Sequence, residues 1–92
     1  MKHYNSLFII DPRREEAIKD ITEGIKNVIT KNNGKVDKEE AWGKQKLSFE
    51  VKKQSDGIYY KLEFTIDPSK ITALTSSYKL NQDILRTMIT VK

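Results

Sequence analysis

Apolar and polar residues alternate along the start of the chain, switch to a helical period, and then alternate again. From about Lys2 to Ile10 one parity carries Tyr4, Ser6, Phe8 and Ile10, and the other carries His3, Asn5, Leu7 and Ile9. Successive strand side chains point to opposite faces, so apolar residues at both parities predict an interior strand. Asp11-Pro12 closes it, because proline cannot donate to a ladder and suits a helix start. From about Arg13 to Asn32, Ala17, Ile18, Ile21, Ile25, Val28 and Ile29 recur at three- and four-residue steps and predict an amphipathic helix. Glu15 and Glu16 in its first turn and Lys31 in its last suit the helix dipole. Asn33-Gly34 is the expected stop, with glycine taking the left-handed conformation.

From Lys35 to Val51 the pattern is extended but changes phase: Val36 shares the parity of Trp42, whereas Leu47, Phe49 and Val51 have the opposite one. A bulge or bend near Gly43 reconciles the two halves. In the second half Lys46, Ser48 and Glu50 lie opposite Leu47, Phe49 and Val51, which predicts a ribbon with a core-facing edge and a basic edge. Lys52 to Gly57 reads as a polar turn with Asp56-Gly57 as its hairpin signal. The next strand sends Ile58, Tyr60, Leu62, Phe64 and Ile66 inward and Tyr59, Lys61, Glu63 and Thr65 outward. Asp67-Pro68 opens a shorter helix carrying Ile71, Leu74 and Tyr78. In a last strand, from about Ile84 to Val91, Leu85, Ile89 and Val91 compete with Met88 for the core.

The order β-α-β-β-α-β predicts an α+β, ferredoxin-like domain over residues 1–92, with a four-stranded antiparallel sheet and both helices on one face. The other face then has no helix over it. Its expected residues are His3, Asn5, Leu7, Tyr59, Lys61, Thr65 and part of the last strand, a surface suited to RNA or to another protein.

Charge sharpens that expectation. The 92 residues carry a net charge of +4 and a pI near 9.3. The excess falls on the middle hairpin (Lys44, Lys46, Lys52, Lys53 and Lys61 against Glu50 and Asp56) and on Arg86 and Lys92 at the end. Clustered positive charge beside aromatics is the footprint of a nucleic-acid binder. With no cysteine, disulfides and thiolate metal sites are excluded. No apolar run approaches the roughly 20 residues that span a bilayer, and Leu7 to Ile10 is too short for a signal-peptide core, so the chain is expected to stay in the compartment where it is made.

Catalysis finds little support. The sole histidine, His3, has no patterned partner for a metal site or a base pair, and Asp37, Glu39 and Glu40 read as solvated carboxylates on a charged strand. Arg13 and Arg14 sit in an ordinary first helical turn without a glycine-rich phosphate cradle. The segment Gly57-Ile58-Tyr59-Tyr60-Lys61-Leu62-Glu63-Phe64 also fits an RNA-recognition motif poorly, since Tyr60 and Phe64 share the inward parity and leave only Tyr59 as an outward platform. A binding protein without cofactor, metal or small-molecule substrate is the expectation.

Several segments, in order from end to end, resemble the bacterial small-subunit ribosomal protein number six family. They are Tyr4, Pro12, Asn33-Gly34, Trp42-Gly43, Lys46-Leu47-Ser48-Phe49, Lys53 with Gly57-Ile58-Tyr59-Tyr60, Pro68 and Ile84-Leu85-Arg86-Thr87-Met88. The chain departs from the family pattern at Glu50, where relatives carry proline. The resemblance implies a non-enzymatic component of the cytoplasmic ribosome that binds the central domain of small-subunit ribosomal RNA together with small-subunit ribosomal protein eighteen. Carried onto this chain, the RNA-binding candidates are Lys2, His3, Lys44, Lys46, Lys52, Lys53, Tyr59, Lys61, Arg86 and Lys92. The partner-binding candidates are Trp42, Gly43, Leu47 and Phe49. The alternative is a protein-interaction module that oligomerises through its open sheet face.

Overall fold

A computed structural model gives the elements in order: β1 (Lys2–Ile10), a 3-10 turn (Pro12–Ala17), α1 (Ile18–Lys31), β2 (Lys35–Val51), β3 (Gln54–Ile66), a second 3-10 turn (Pro68–Lys70), α2 (Ile71–Leu80) and β4 (Ile84–Val91). The structure describes residues 1–51 and 54–92, and side-chain surroundings for all of these except 48–51 and 54. The sheet order is β2-β3-β1-β4 and every pairing is antiparallel. β1 is therefore central, as its two apolar parities require.

The core forms where the inward parity of the sheet meets both helices. Tyr4, Phe8, Ile10, Ile58, Tyr60, Leu62, Phe64, Ile66 and Ile84 bury against Ile21, Ile25 and Ile29 of α1 and Leu74 and Tyr78 of α2. Both helices thus cover the same face, the ferredoxin-like arrangement. Phe8 meets Tyr78 edge-on, with ring centroids 4.9 Å apart and planes at 82°. The Tyr78 hydroxyl donates to the Ile25 carbonyl at 2.7 Å, which joins the two helices inside the core. Burial pushes the pKa of that hydroxyl up.

Local structure departs from the sequence reading at three places. The first helix does not start at Arg13. The Asp11 carboxylate caps the backbone N–H of Arg13 at 2.9 Å and accepts from its guanidinium, with Nη2 at 2.7 Å, while Arg14 Nε reaches Asp83 at 2.9 Å. Held from outside by these pairs, the stretch winds as a 3-10 turn with Arg14 off helical angles, and regular α geometry begins at Ile18. The helix stop is shared differently from the expectation. Asn33 takes the positive φ of 65°, and Gly34 is required by space, since a Cβ there would lie 2.7 Å from Ile29 Cγ2. Finally, Asp56-Gly57 is not the hairpin turn. Val51 pairs with Gln54, and Asp56 and Gly57 lie inside β3 opposite Lys46 and Gln45.

Phase changes in β2 and β4 prove to be bulges. Register shifts fall between Val36 and Lys38 and between Ala41 and Gly43, the second around Trp42 with Gly43 at φ 77°. In β4 the shift beside Ile10 leaves Ile84 facing the helices and Leu85 facing the opposite side, both buried. Met88, opposite Leu7, falls on the open face, while Ile89, opposite Ser6, packs against the helix-side core.

Asp11 predicts an acid response. It is buried, and the hydrogen bond from the Arg13 guanidinium leads in lowering its pKa, outweighing burial, which acts the other way. A depressed carboxylate contributes stability that is complete above the unfolded value of about 3.9 and is lost as pH falls through the folded value. The Asp11→Ala variant should therefore be less stable by about 1–2 kcal/mol at neutral pH, chiefly through the lost cap. In urea titrations its deficit should shrink once the solution is acid enough to protonate Asp11 in the folded parent.

Candidate nucleic-acid and partner interface

The face of the sheet away from the helices is built by the outward parity of each strand. Cross-strand register aligns Glu40, Lys61, Leu7 and Met88 in one row, and Gly43, Tyr59, Ile9 and Arg86 in the next. Neighbours in such a row share a face. At one end of this surface Ile9, Leu47 and Leu85 form a small second core, with Tyr59 packed on it. Leu47 is thus buried on the open face, not beneath the helices as the core-facing edge of the ribbon implied. Its parity after the Trp42 bulge is odd, and odd positions of the paired β3 face outward.

Trp42, extruded by that bulge, stacks on Tyr59 with centroids 6.2 Å apart and planes 18° from parallel, yet stays 48% exposed. Gly43 makes this placement possible by taking the left-handed φ that few other residues tolerate. Beyond the stack lies a shallow groove of about 250 Å³, lined by Asn5, Leu7, Trp42, Lys61, Met88 and Thr90 with Ser6 at its floor.

Carboxylates neutralise much of the open face. Lys61 approaches Glu40 at 4.0 Å, Lys38 approaches the same carboxylate at 3.6 Å, and Lys92 pairs with Glu63. The Lys92 ammonium lowers the pKa of Glu63, and Glu63 raises that of Lys92. Thr65 Oγ1 donates to Asp37 at 2.6 Å and lies 2.8 Å from His3 Nδ1. Asp37, Glu39 and Glu40 are therefore not one solvated cluster. The bulges send Glu39 to the helix side, where the Tyr60 hydroxyl and then Lys26 (2.9 Å) lower its pKa.

The candidate cations do not form one patch. His3, Lys61, Arg86 and Lys92 belong to the open side with Tyr59. Lys44 and Lys46 pair with Ile58 and Asp56, which puts them at the opposite parity, and both are exposed. Lys2, opposite Ile66, shares that helix-side parity at the far end of β1. Among the described residues Lys2, Lys44 and Lys46 enter no ion pair. Lys52 and Lys53 lie outside the described residues, as does the side chain of Phe49. The sequence reading placed Asn5 and Leu7 on the uncovered face but did not single them out, because the groove exists only once Trp42 is folded back beside them.

Among the described residues no group of three or more His, Cys, Asp or Glu could hold a metal ion, and no helix is long and apolar enough to cross a membrane. Fold and surface together define a ferredoxin-like domain of the α+β class: a sheet whose uncovered face is apolar at its centre and charged at its margins. Comparison with known proteins gives the particular family. The family model for ribosomal protein S6 matches residues 3–91. Small ribosomal subunit protein bS6 of Arthrobacter sp. is 38% identical over 91 residues, covering 98% of this chain and 90% of that protein. The Streptomyces griseus bS6 is 34% identical over 90 residues, covering 97% and 94%. The crystal structure of 30S ribosomal protein S6 from Thermotoga maritima superposes with a TM-score of 0.93 at 31% identity, over 99% of this chain and 87% of that one. The chain belongs to the ribosomal protein S6 family, and its role is structural and non-enzymatic, as a component of the small subunit of the cytoplasmic ribosome. The C-terminal domain of the MgtC protein from Mycobacterium tuberculosis shares the fold at TM-score 0.70 and only 12% identity. It is the family match, not the fold, that carries the role.

Proposed function

We propose that this chain binds the central domain of small-subunit ribosomal RNA jointly with small-subunit ribosomal protein eighteen, and that the two partners use different sides of the molecule. The supporting observation is the division of charge. Lys44 and Lys46 are exposed on the β2–β3 ribbon without a carboxylate partner among the described residues, and the sequence adds Lys52 and Lys53 at the end of the same ribbon. The open face instead matches Lys61, Lys38 and Lys92 with acids around an apolar centre holding the exposed Trp42 and Met88. Phosphates favour the first surface, because each contact made by a cation releases counterions. A protein favours the second, because aromatic and methionine side chains with few net charges resemble the centre of a protein interface. Lys2 and the Lys44–Lys53 ribbon are then the main phosphate contacts. His3, Tyr59, Lys61, Arg86 and Lys92 border the partner and reach RNA at the rim, and Trp42, Gly43, Leu47 and Phe49 shape the partner surface.

Affinity for a central-domain RNA fragment, with protein eighteen present, should fall steeply with salt. In Lys44→Gln/Lys46→Gln the slope of log K against log[salt] should be shallower by roughly 1.4–1.8, given about 0.7–0.9 per lost phosphate contact. An unchanged slope removes these lysines from the RNA surface. Light scattering on the isolated chain tests the whole reading: a stable homo-oligomer that ignores RNA points to self-association through the open face.

A further inference from the structure

Asn33 is the only asparagine of the chain that glycine follows, and it is exposed at the junction of α1 and β2. In such a pair the main-chain nitrogen of the glycine can attack the side-chain amide carbon, because glycine has no side chain to obstruct the approach. The fold holds that nitrogen back. Gly34 N–H donates to the Ile29 carbonyl at 2.8 Å and Asn33 N–H to the Thr30 carbonyl at 3.0 Å, the two bonds that close a helix ending in a left-handed residue. Asn32 adds a further tie, its Nδ2 donating to the Val28 carbonyl at 2.8 Å. Gly34 is also wedged against side chains: a Cβ there would meet Ile29 Cγ2 at 2.7 Å and Ile66 Cδ1 at 3.0 Å.

We propose that Asn33 is a site of spontaneous deamidation and that the closed end of α1 is the gate that restrains it. When the helix end opens, Gly34 N loses its proton to solvent and bonds to Asn33 Cγ. The side-chain nitrogen takes up a proton and leaves as ammonia, and a cyclic imide remains. Water then opens the ring at either carbonyl and leaves aspartate or isoaspartate in place of Asn33. The fold tolerates the two products differently. Aspartate keeps the main-chain length and accepts a φ of 65°, but it sets a carboxylate at the negative end of the helix dipole. Isoaspartate adds a methylene to the main chain directly before Gly34, where even a Cβ lacks room. It therefore displaces the entry to β2, the strand that carries Trp42, Lys44 and Lys46.

Peptide-mapping mass spectrometry of the full chain, held in mildly alkaline buffer with and without denaturing urea, tests this. In urea Asn33 should convert faster than Asn5, Asn27, Asn32 and Asn81. In the folded chain its conversion should be at least about tenfold slower, because a restrained group reacts only through its opened population. Asn32→Ala should raise the folded rate several-fold and leave the rate in urea unchanged. Asp11→Ala, which loosens the chain before the other end of α1, should leave both rates near those of the parent. Equal rates with and without urea, or a faster reaction at another asparagine in urea, overturn the proposal. So does an Asn32→Ala chain that reacts no faster than the folded parent. An Asp11→Ala chain that accelerates as much as Asn32→Ala overturns it too, since the reaction then runs through global unfolding and not through the helix end.

Discussion

Phe8→Ala should lower the stability of the free chain by about 3–5 kcal/mol, a large part of the total for a chain of this size, and calorimetry should show a transition depressed by more than 10 °C or none at all. Phe8 has no exposed surface, lies in the central strand, and is gripped from both layers. Across the sheet it faces Tyr60, with centroids 6.3 Å apart, and above it the edge of Tyr78 approaches at 4.9 Å. Truncation removes the transfer energy of the ring and leaves a cavity between sheet and α2 that neither neighbour can close freely. The Tyr78 hydroxyl is held by the Ile25 carbonyl and the Tyr60 hydroxyl by Glu39, so filling the space would break one of those bonds. Phe8→Leu should cost less than half as much, because most of the volume remains. A loss below about 1 kcal/mol for Phe8→Ala would mean that the helices repack more freely than these anchored tyrosines allow.

What the sequence disclosed of this architecture follows from which interactions are periodic. Strand and helix parities come from burial, and burial repeats every 2 or 3.6 residues, so β1, α1, the inward face of β3 and the order of elements could be read directly. Single events do not repeat. The 3-10 entry to α1 depends on Asp83, some seventy positions from the arginines it helps to hold, and no local pattern around Arg13 announces it. The second core was hidden because Leu47 changes face at a bulge whose direction is settled by pairing with β3. Asn33 and Gly34 exchanged roles for a similar reason: the left-handed angle fell to the asparagine, and the glycine is demanded by the Ile29 and Ile66 side chains. For the candidate site, the residue types were legible and their grouping was not. Lys44, Lys46, Lys61 and Tyr59 look like one basic aromatic patch in sequence, yet parity separates the first two from the last two. Acids that looked merely solvated turn out to set the charge of the open face.

Gly57→Ala should destabilise the free chain by up to about 3 kcal/mol and at the same time weaken whatever binds the open face. In sequence the Asp56-Gly57 pair looks like a turn, where alanine would be penalised for backbone angle. In the structure Gly57 lies within β3 beside the second core, and space is the constraint: an added Cβ would stand 2.3 Å from Ile9 Cγ2 and 3.4 Å from Leu47 Cδ2. Ile9 is β-branched in the central strand and cannot turn that methyl aside without leaving its preferred rotamer. Relief therefore requires β3 to move away from β1 or the Ile9–Leu47–Leu85 cluster to open. Either movement carries Tyr59 with it, and Tyr59 supports the Trp42 ring at the margin of the groove. The two explanations of this glycine separate cleanly by experiment. If the backbone angle were the constraint, asparagine, which tolerates left-handed angles, would substitute well. Because close approach is the constraint, Asn at 57 should be worse than Ala, and in Gly57→Ala/Ile9→Ala the combined loss should be clearly less than the sum of the two separate losses, because the shortened side chain no longer meets the added Cβ. Trp fluorescence follows the same event locally, since Trp42 is the chain's single tryptophan. Its emission should shift in Gly57→Ala and return toward that of the parent in the double variant, whereas a destabilisation that leaves Trp42 unperturbed would separate the second core from the binding face.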